Sequence, residues 1–176
     1  MRTISILDIK SFVKIFLSVM LISACAQITI PIQPVPITLQ TVSVLLIGLT
    51  LKPREAFFAI LSYIAIGIAG APVFAGFNSG LTYFMGFTTG YLIGFLFAAP
   101  TMAYVREKFP SSSPISILAI CFVGQFILYT FGILWLAKSF GLEKAIAVGL
   151  VPFILPGIVK SFILTGLLKA VHILRK

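Results

Sequence analysis

The stretch Ile115–Ser139, ISILAICFVGQFILYTFGILWLAKS, contains no charged residue before Lys138. An apolar run of roughly 20 residues is long enough to cross the hydrocarbon core of a bilayer as a helix. Soluble domains have charged residues at about a quarter of their positions, whereas this chain of 176 residues is 60% hydrophobic and only 10% charged. The sequence therefore predicts an all-α integral membrane protein.

Further apolar runs predict a bundle of six transmembrane helices within a single membrane domain, residues 1–176. The predicted spans are residues 12–29, 39–51, 53–70, 81–105, 115–139 and 152–174. Pro53 suits the first position of a helix, and Glu55 complements the positive end of the helix dipole. Pro152, Pro156 and Gly157 interrupt the last span, which leaves its first residue open.

The N-terminal region also resembles a secretory signal, because a basic start precedes an apolar stretch and a possible lipoprotein cleavage site at Cys25. We expect an uncleaved first helix instead, since the remaining spans need a membrane partner on that side.

The cations are distributed asymmetrically about the six predicted spans. The side with the two loops 2–3 and 4–5 and both termini holds ten: Arg2, Lys10, Lys14, Lys52, Arg54, Arg106, Lys108, Lys169, Arg175 and Lys176. The other side holds two, Lys138 and Lys144. Cytoplasmic loops carry an excess of Lys and Arg, so both termini are predicted to be cytoplasmic. The net charge of +9 is then a sign of topology, and no nucleic-acid partner is expected.

Three segments on the predicted outer side are rich in Pro and Gly but remain apolar: residues 31–40, 70–80 and 152–157. Non-helical backbone persists at membrane depth only where it is buried in protein or lines a cavity, and interrupted helices often mark a substrate site. The alternative is that these residues only form tight turns. We expect a cavity whose polar groups include Thr38 and Gln40. The aromatic candidates flank the second segment and are Phe74, Phe77, Tyr83 and Tyr91.

Lys160 lies inside the last predicted span, whereas none of the four acidic residues lies deep in a span. An ionisable group within the membrane usually faces a cavity or a partner, so the remaining partner is an anionic ligand. If the last helix begins at Pro156, Lys160 lies one turn from its N-terminus, where the helix dipole also favours an anion. The alternative is a lysine whose ammonium extends to the membrane surface.

Several chemistries are missing from the sequence. It contains no G-x-x-x-x-G-K-[ST] phosphate-binding loop, no metal-ligand cluster and no carboxylate pair for acid–base chemistry. We therefore expect neither an enzyme nor a cofactor. A substrate site without an energy source implies facilitated diffusion or a partner that supplies the energy.

Three runs of sequence together resemble one transporter family. They are residues 26–41, with the motif Val35-Pro36-Ile37-Thr38-Leu39-Gln40, residues 70–76, with Pro72-Val73-Phe74-Ala75-Gly76, and residues 90–95. The chain resembles the BioY family, the biotin-specific S components of energy-coupling factor (ECF) transporters, over essentially its whole length.

The resemblance implies a six-helix protein of the bacterial cytoplasmic membrane that takes up biotin from outside. A scaffold membrane subunit and two ATPases would drive its release inside. By the same resemblance, Lys160 would pair with the biotin carboxylate and Asn78 would bind the ureido group. The aspartate of the family motif is replaced by Gly157, which leaves open another small carboxylate vitamin as the ligand. The small-residue A-x-x-x-A face that the family uses on helix 1 to dock the scaffold is reduced to Ser18, Ser23 and Ala24, which leaves open a diverged partner or a stand-alone facilitator.

Overall fold

The structure is a computed structural model that describes residues 9–110 and 113–174. Its elements are α1 (Ile9–Gln27), β1 (Thr29–Ile30), β2 (Ile37–Thr38), α2 (Gln40–Thr50), α3 (Pro53–Ile68), a 3-10 turn (Ala75–Phe77), α4 (Gly80–Phe84), α5 (Thr89–Lys108), α6 (Pro114–Phe140), α7 (Leu142–Gly149) and α8 (Val151–Leu174). Residues 1–8, where the signal-peptide alternative begins, and the cations Arg2, Arg175 and Lys176 lie outside the described residues.

Within the described residues, three stretches are long and apolar enough to cross a membrane: Ile9–Gln27, Pro114–Phe140 and Leu142–Ala170. Their mean hydropathies are 1.8, 2.2 and 2.0. The 11-residue helix α2 is different, because at 1.5 Å per residue it rises only about 16 Å, roughly half the hydrocarbon thickness of a bilayer. Most of α2 is buried, so this short helix forms part of the core of the bundle.

The predicted span 81–105 is wrong as a single helix, because the chain breaks between α4 and α5 at residues 85–88. At this break, side chains donate hydrogen bonds to carbonyl groups that would accept from backbone N–H groups in a continuous helix. The Thr89 hydroxyl donates to the Gly86 carbonyl at 2.7 Å, and the indole N–H of Trp135 on α6 donates to the same oxygen at 3.0 Å. The sequence prediction missed this break because the contact from Trp135 is a tertiary one.

The last helix does not begin at Pro156, the start considered from the sequence. Helix α8 starts at Val151 and continues through Pro156, whereas α7 forms a separate helix in what was predicted to be a loop. Lys160 is therefore more than two turns from the helix N-terminus. The dipole of the first turn does not act on it, so that part of the prediction is wrong.

Helices α5 and α6 approach closely because two glycines of α5 have no side chain. A Cβ atom at Gly94 would lie 2.8 Å from the Leu128 Cα, and one at Gly90 would lie 2.5 Å from the Phe131 carbonyl oxygen. Small residues let membrane helices pack backbone against backbone. Gly90 and Gly94 therefore serve the packing of α5 against α6.

The start of α3 is held against α1 by a buried carboxylate. Pro53 is at the first helical position, as predicted. Glu55 is 5% exposed and accepts hydrogen bonds from the Lys52 backbone N–H at 3.1 Å and from the Ser11 hydroxyl at 2.7 Å. Lys14 of α1 lies 3.3 Å from the same carboxylate, which compensates its charge.

The segment after α1 folds back on itself as a short antiparallel hairpin. Thr29 pairs with Thr38 and Ile30 pairs with Ile37. This pairing closes the loop of residues 31–36 and places Thr38 immediately before α2. The loop thereby lies over the end of the bundle where the candidate site is found.

Candidate substrate-binding site

A cavity of about 40 Å³ lies among the loop 31–38, α2, α5, α6 and α8. Its lining residues are Val35, Pro36, Thr38, Gln40, Thr41, Phe74, Ala75, Tyr83, Thr88, Tyr91, Leu92, Phe95, Leu128, Tyr129 and Phe153. One buried water occupies about 10–15 Å³ by this measure, so the cavity has room for about three waters. Five of the predicted candidates, Thr38, Gln40, Phe74, Tyr83 and Tyr91, lie together in this lining.

Aromatic rings form one wall of the cavity. Phe74 is fully buried and stacks on Tyr83 with ring centroids 5.3 Å apart and an interplanar angle of 19°. Its other contact is an edge-on one with Tyr63, at 5.7 Å and 83°. These contacts fix the ring of Phe74, so the wall is rigid and apolar. Phe77, the remaining aromatic candidate, is 69% exposed and does not line the cavity.

The amide of Gln40 is occupied by protein groups. Its Nε2 donates to the Tyr63 hydroxyl at 2.6 Å, and its Oε1 accepts from the Thr38 hydroxyl at 3.1 Å. The Tyr63 hydroxyl in turn donates to the Val73 carbonyl at 3.0 Å. Gln40 therefore ties α2, α3 and the loop after α3 together beneath the cavity.

Lys160 does not itself line the cavity, but it is hydrogen-bonded to Thr38, which does. Its Nζ donates to the Thr38 backbone carbonyl at 2.6 Å, a bond that connects α8 to the hairpin. The ion pair of Lys14 with Glu55 is the only one formed among the described residues, so Lys160 has no carboxylate partner there. An ammonium group has three donors. Thr38 uses one of them, and two remain for a ligand.

Asn78 lies outside this cavity, in an adjoining cleft of about 450 Å³. The cleft is bordered by the loop 29–36 and by residues 75–88, and it shares Pro36, Ala75, Tyr83 and Thr88 with the cavity. The amide nitrogen of Asn78 donates to the Ala75 carbonyl at 2.7 Å. Asn78 thus lies in a different space from the predicted site residues that line the cavity.

Gly157 packs against a polar cluster between α6 and α8. A Cβ atom at this position would overlap the Gln125 Oε1 and lie 2.6 Å from the Tyr129 hydroxyl. Gln125 is 4% exposed, and its Nε2 donates to the Gly157 carbonyl at 3.0 Å and to the Ser161 hydroxyl at 2.5 Å. The space beside Gly157 is therefore filled by the side chains of α6.

Tyr129 and Phe153 also line the cavity, although neither was predicted as a site residue. Phe153 lies in the first turn of α8 and packs against two tyrosine rings, with centroid distances of 5.8 Å to Tyr91 and 6.3 Å to Tyr129. One signal was present, because Gln125 and Tyr129 are polar residues four apart on one face of an otherwise apolar helix.

Comparisons with known proteins identify the family. The sequence model of the BioY family matches residues 1–176. This chain belongs to the BioY family. A protein of Rickettsia prowazekii named "Probable biotin transporter BioY" is 42% identical over 171 residues, which cover 97% of this chain and 86% of that protein. "Biotin transporter BioY2" of Lactococcus lactis is 34% identical over 157 residues, covering 88% and 86% of the two chains.

The fold is also that of a solved transporter subunit. The crystal structure of an S-component for biotin from an ECF-type ABC transporter superposes with a TM-score of 0.84 over 93% of this chain and 91% of that one. The sequence identity is 22%, so this match establishes the fold. The helical membrane architecture predicted for the BioY chain is confirmed at that level.

Proposed function

We propose that this BioY protein captures biotin from the outer side of a bacterial cytoplasmic membrane and delivers it inward. The observation that carries the proposal is Lys160, an ammonium group without a carboxylate partner among the described residues, next to a cavity with an aromatic wall. Biotin combines a carboxylate, an aliphatic chain and a compact ring system. Charge and apolar surface on the protein match these parts, and relatives named biotin transporters support the same ligand.

The biotin carboxylate binds the two free donors of Lys160. Charge-assisted hydrogen bonds of this type are shorter and about twice as strong as neutral ones. The lysine keeps its bond to the Thr38 carbonyl, so the ligand and the hairpin are held by the same ammonium group. The hairpin is thereby fastened to α8 when the ligand is bound.

Biotin entry requires movement of the outer segments. A cavity of about 40 Å³ is far below the roughly 300–1,000 Å³ of typical ligand pockets. The adjoining cleft supplies about 450 Å³, and the residues between the two spaces belong to the hairpin loop and to the segment 75–88. Displacement of these segments joins cleft and cavity into one site, with Asn78 at its outer end.

The chain crosses the membrane six times with both termini in the cytoplasm. The ten-to-two distribution of cations in the sequence supports this orientation. Because the sequence contains no phosphate-binding loop, the energy for release comes from an ECF scaffold subunit and two ATPase subunits. Copurification of these subunits from cells that express the chain tests this part of the proposal.

Equilibrium binding of radiolabelled biotin to the purified protein tests the ligand. We expect saturable binding with a Kd well below 1 µM, competed by unlabelled biotin. The Lys108→Met variant is a matched control, because this lysine is exposed in the last turn of α5, whereas the cavity residues of that helix lie in its first two turns. Absence of biotin binding below micromolar concentrations would refute the proposal.

Gly157 supports a second candidate, in which the chain takes another small carboxylate vitamin, with or without an ECF module. The family motif has an aspartate at this position, and here the space is filled by Gln125 and Tyr129. Competition of bound biotin by a panel of carboxylate vitamins distinguishes the two ligands. A vitamin that displaces biotin at a lower concentration than biotin itself would favour the second candidate.

A further inference from the structure

Two tyrosines of the cavity donate their only hydroxyl hydrogen to backbone carbonyls near the junction of α7 and α8. The Tyr91 hydroxyl donates to the Gly149 carbonyl at 2.5 Å. The Tyr129 hydroxyl lies 3.1 Å from the Phe153 carbonyl and 3.5 Å from the Gln125 Oε1. All three partner atoms are acceptors, because the Gln125 amide nitrogen is directed to the Gly157 carbonyl at 3.0 Å.

A phenol has one hydrogen to donate, and its oxygen can also accept. In Tyr91 and Tyr129 that hydrogen is committed to the protein, and within residues 9–110 and 113–174 no group donates to either phenol oxygen. Each oxygen can therefore still accept a hydrogen bond but has no hydrogen left to donate. At the phenol oxygens of Tyr91 and Tyr129 the site therefore favours a ligand with hydrogen-bond donors.

The two tyrosines act on one region of the cavity. Both rings pack against Phe153, with centroid distances of 5.8 and 6.3 Å, and both line the cavity. The lining also contains the apolar side chains of Leu92, Phe95 and Leu128. A ligand group bound here must be compact, must tolerate aromatic and aliphatic surroundings and must present hydrogen-bond donors.

We propose that Tyr91 and Tyr129 form a paired acceptor that binds the two N–H groups of a cyclic urea, the ring of the ligand assigned above. This inference rests on the proposed biotin function and deepens it. Tyr91 and Tyr129 are on α5 and α6, whereas Lys160 is on α8 and acts through the hairpin. The ligand is therefore recognised at two separate positions, by charge at one end and by donor geometry at the other.

Gln125 is a positioning residue in this arrangement. Its amide orientation is set by the Gly157 carbonyl and the Ser161 hydroxyl, so its Oε1 is the atom that faces Tyr129. If the amide nitrogen faced the tyrosine instead, it would donate to the phenol oxygen and occupy the lone pair. The buried cluster between α6 and α8 thus keeps Tyr129 an acceptor.

The test uses purified full-length protein, biotin and two analogues in which one or the other ureido nitrogen carries a methyl group. The wild type is expected to bind biotin at least roughly tenfold more tightly than either analogue, the effect of losing about one neutral hydrogen bond. Tyr91→Phe and Tyr129→Phe should each weaken biotin by roughly tenfold. Each variant should also bind biotin and one of the two analogues equally tightly. That analogue is the one whose methyl group replaces the hydrogen that the substituted tyrosine would accept.

Tyr104→Phe is the matched control, because Tyr104 is 55% exposed in the other half of α5, and it should retain the full preference for biotin. Thermal unfolding in detergent reports whether each variant is folded. Equal wild-type affinity for biotin and both analogues would overturn the inference while leaving the biotin function intact. So would an equal loss for all three ligands in the tyrosine variants, which would make the hydroxyls structural. A wild type that does not bind biotin at all refutes the proposed function, and this inference with it.

Discussion

Replacement of Lys160 by methionine removes the ammonium while keeping a long apolar side chain. In the structure the Nζ atom donates to the Thr38 carbonyl at 2.6 Å and leaves two donors for a carboxylate. A hydrogen bond to a charged group contributes about 1.5–3 kcal/mol, and about 1.4 kcal/mol corresponds to a factor of ten in affinity. We therefore expect Lys160→Met to weaken biotin binding by about ten- to a hundredfold.

The comparison with biotinamide separates ligand binding from loop closure. Biotinamide has no carboxylate, so its affinity should already be lower in the wild type and should fall much less than that of biotin in Lys160→Met, because the bond to Thr38 is made without a ligand as well. The assay is competition against radiolabelled biotin, with Lys169→Met as the control because Lys169 is exposed near the other end of α8. An equal loss for biotin and biotinamide would refute the reasoning, since Lys160 would then act only by holding the hairpin.

Two further substitutions test the packing around the site by thermal unfolding in detergent. Gly94→Ala should lower the free energy of unfolding by about 1–3 kcal/mol, because its Cβ would lie 2.8 Å from the Leu128 Cα. Gly166→Ala is the control and should not lower it, because nothing lies within 4 Å of a Cβ atom there. Equal effects of the two substitutions would argue against close packing of α5 and α6. Gly157→Ala should be destabilising through overlap with the Gln125 amide, and addition of Gln125→Ala should recover about 0.5–3 kcal/mol relative to the sum of the single effects. Strict additivity would contradict the contact.

Much of the site could be predicted from local sequence. The apolar, Pro- and Gly-rich segments identified Thr38, Gln40, Phe74 and Tyr91, and these four side chains line one cavity. The reason is that irregular backbone at membrane depth has to be covered by protein, so such segments converge on a cavity. This reasoning needs only composition and the approximate position of each segment relative to the bilayer.

Other parts of the site depend on partners that are distant in the sequence. Lys160 contacts a carbonyl 122 residues away, and the acceptor character of Tyr91 comes from Gly149, 58 residues away. The break before α5 depends on Trp135, 49 residues from the carbonyl to which it donates. Periodicity and composition carry no information about such pairs.

The sequence by itself determined that this protein is embedded in lipid, that it is helical and which family it belongs to. The first two properties follow from the sum of many side chains, since a chain with 10% charged residues has too little polar surface for water, and apolar runs of about 20 residues satisfy their backbone in the membrane as helices. The family follows from the motifs at residues 26–41, 70–76 and 90–95. Only the tertiary structure decided which donors and acceptors remain free in the cavity. A hydroxyl or an amide is available to a ligand only when its neighbours have not used it, and those neighbours are brought together by packing between helices.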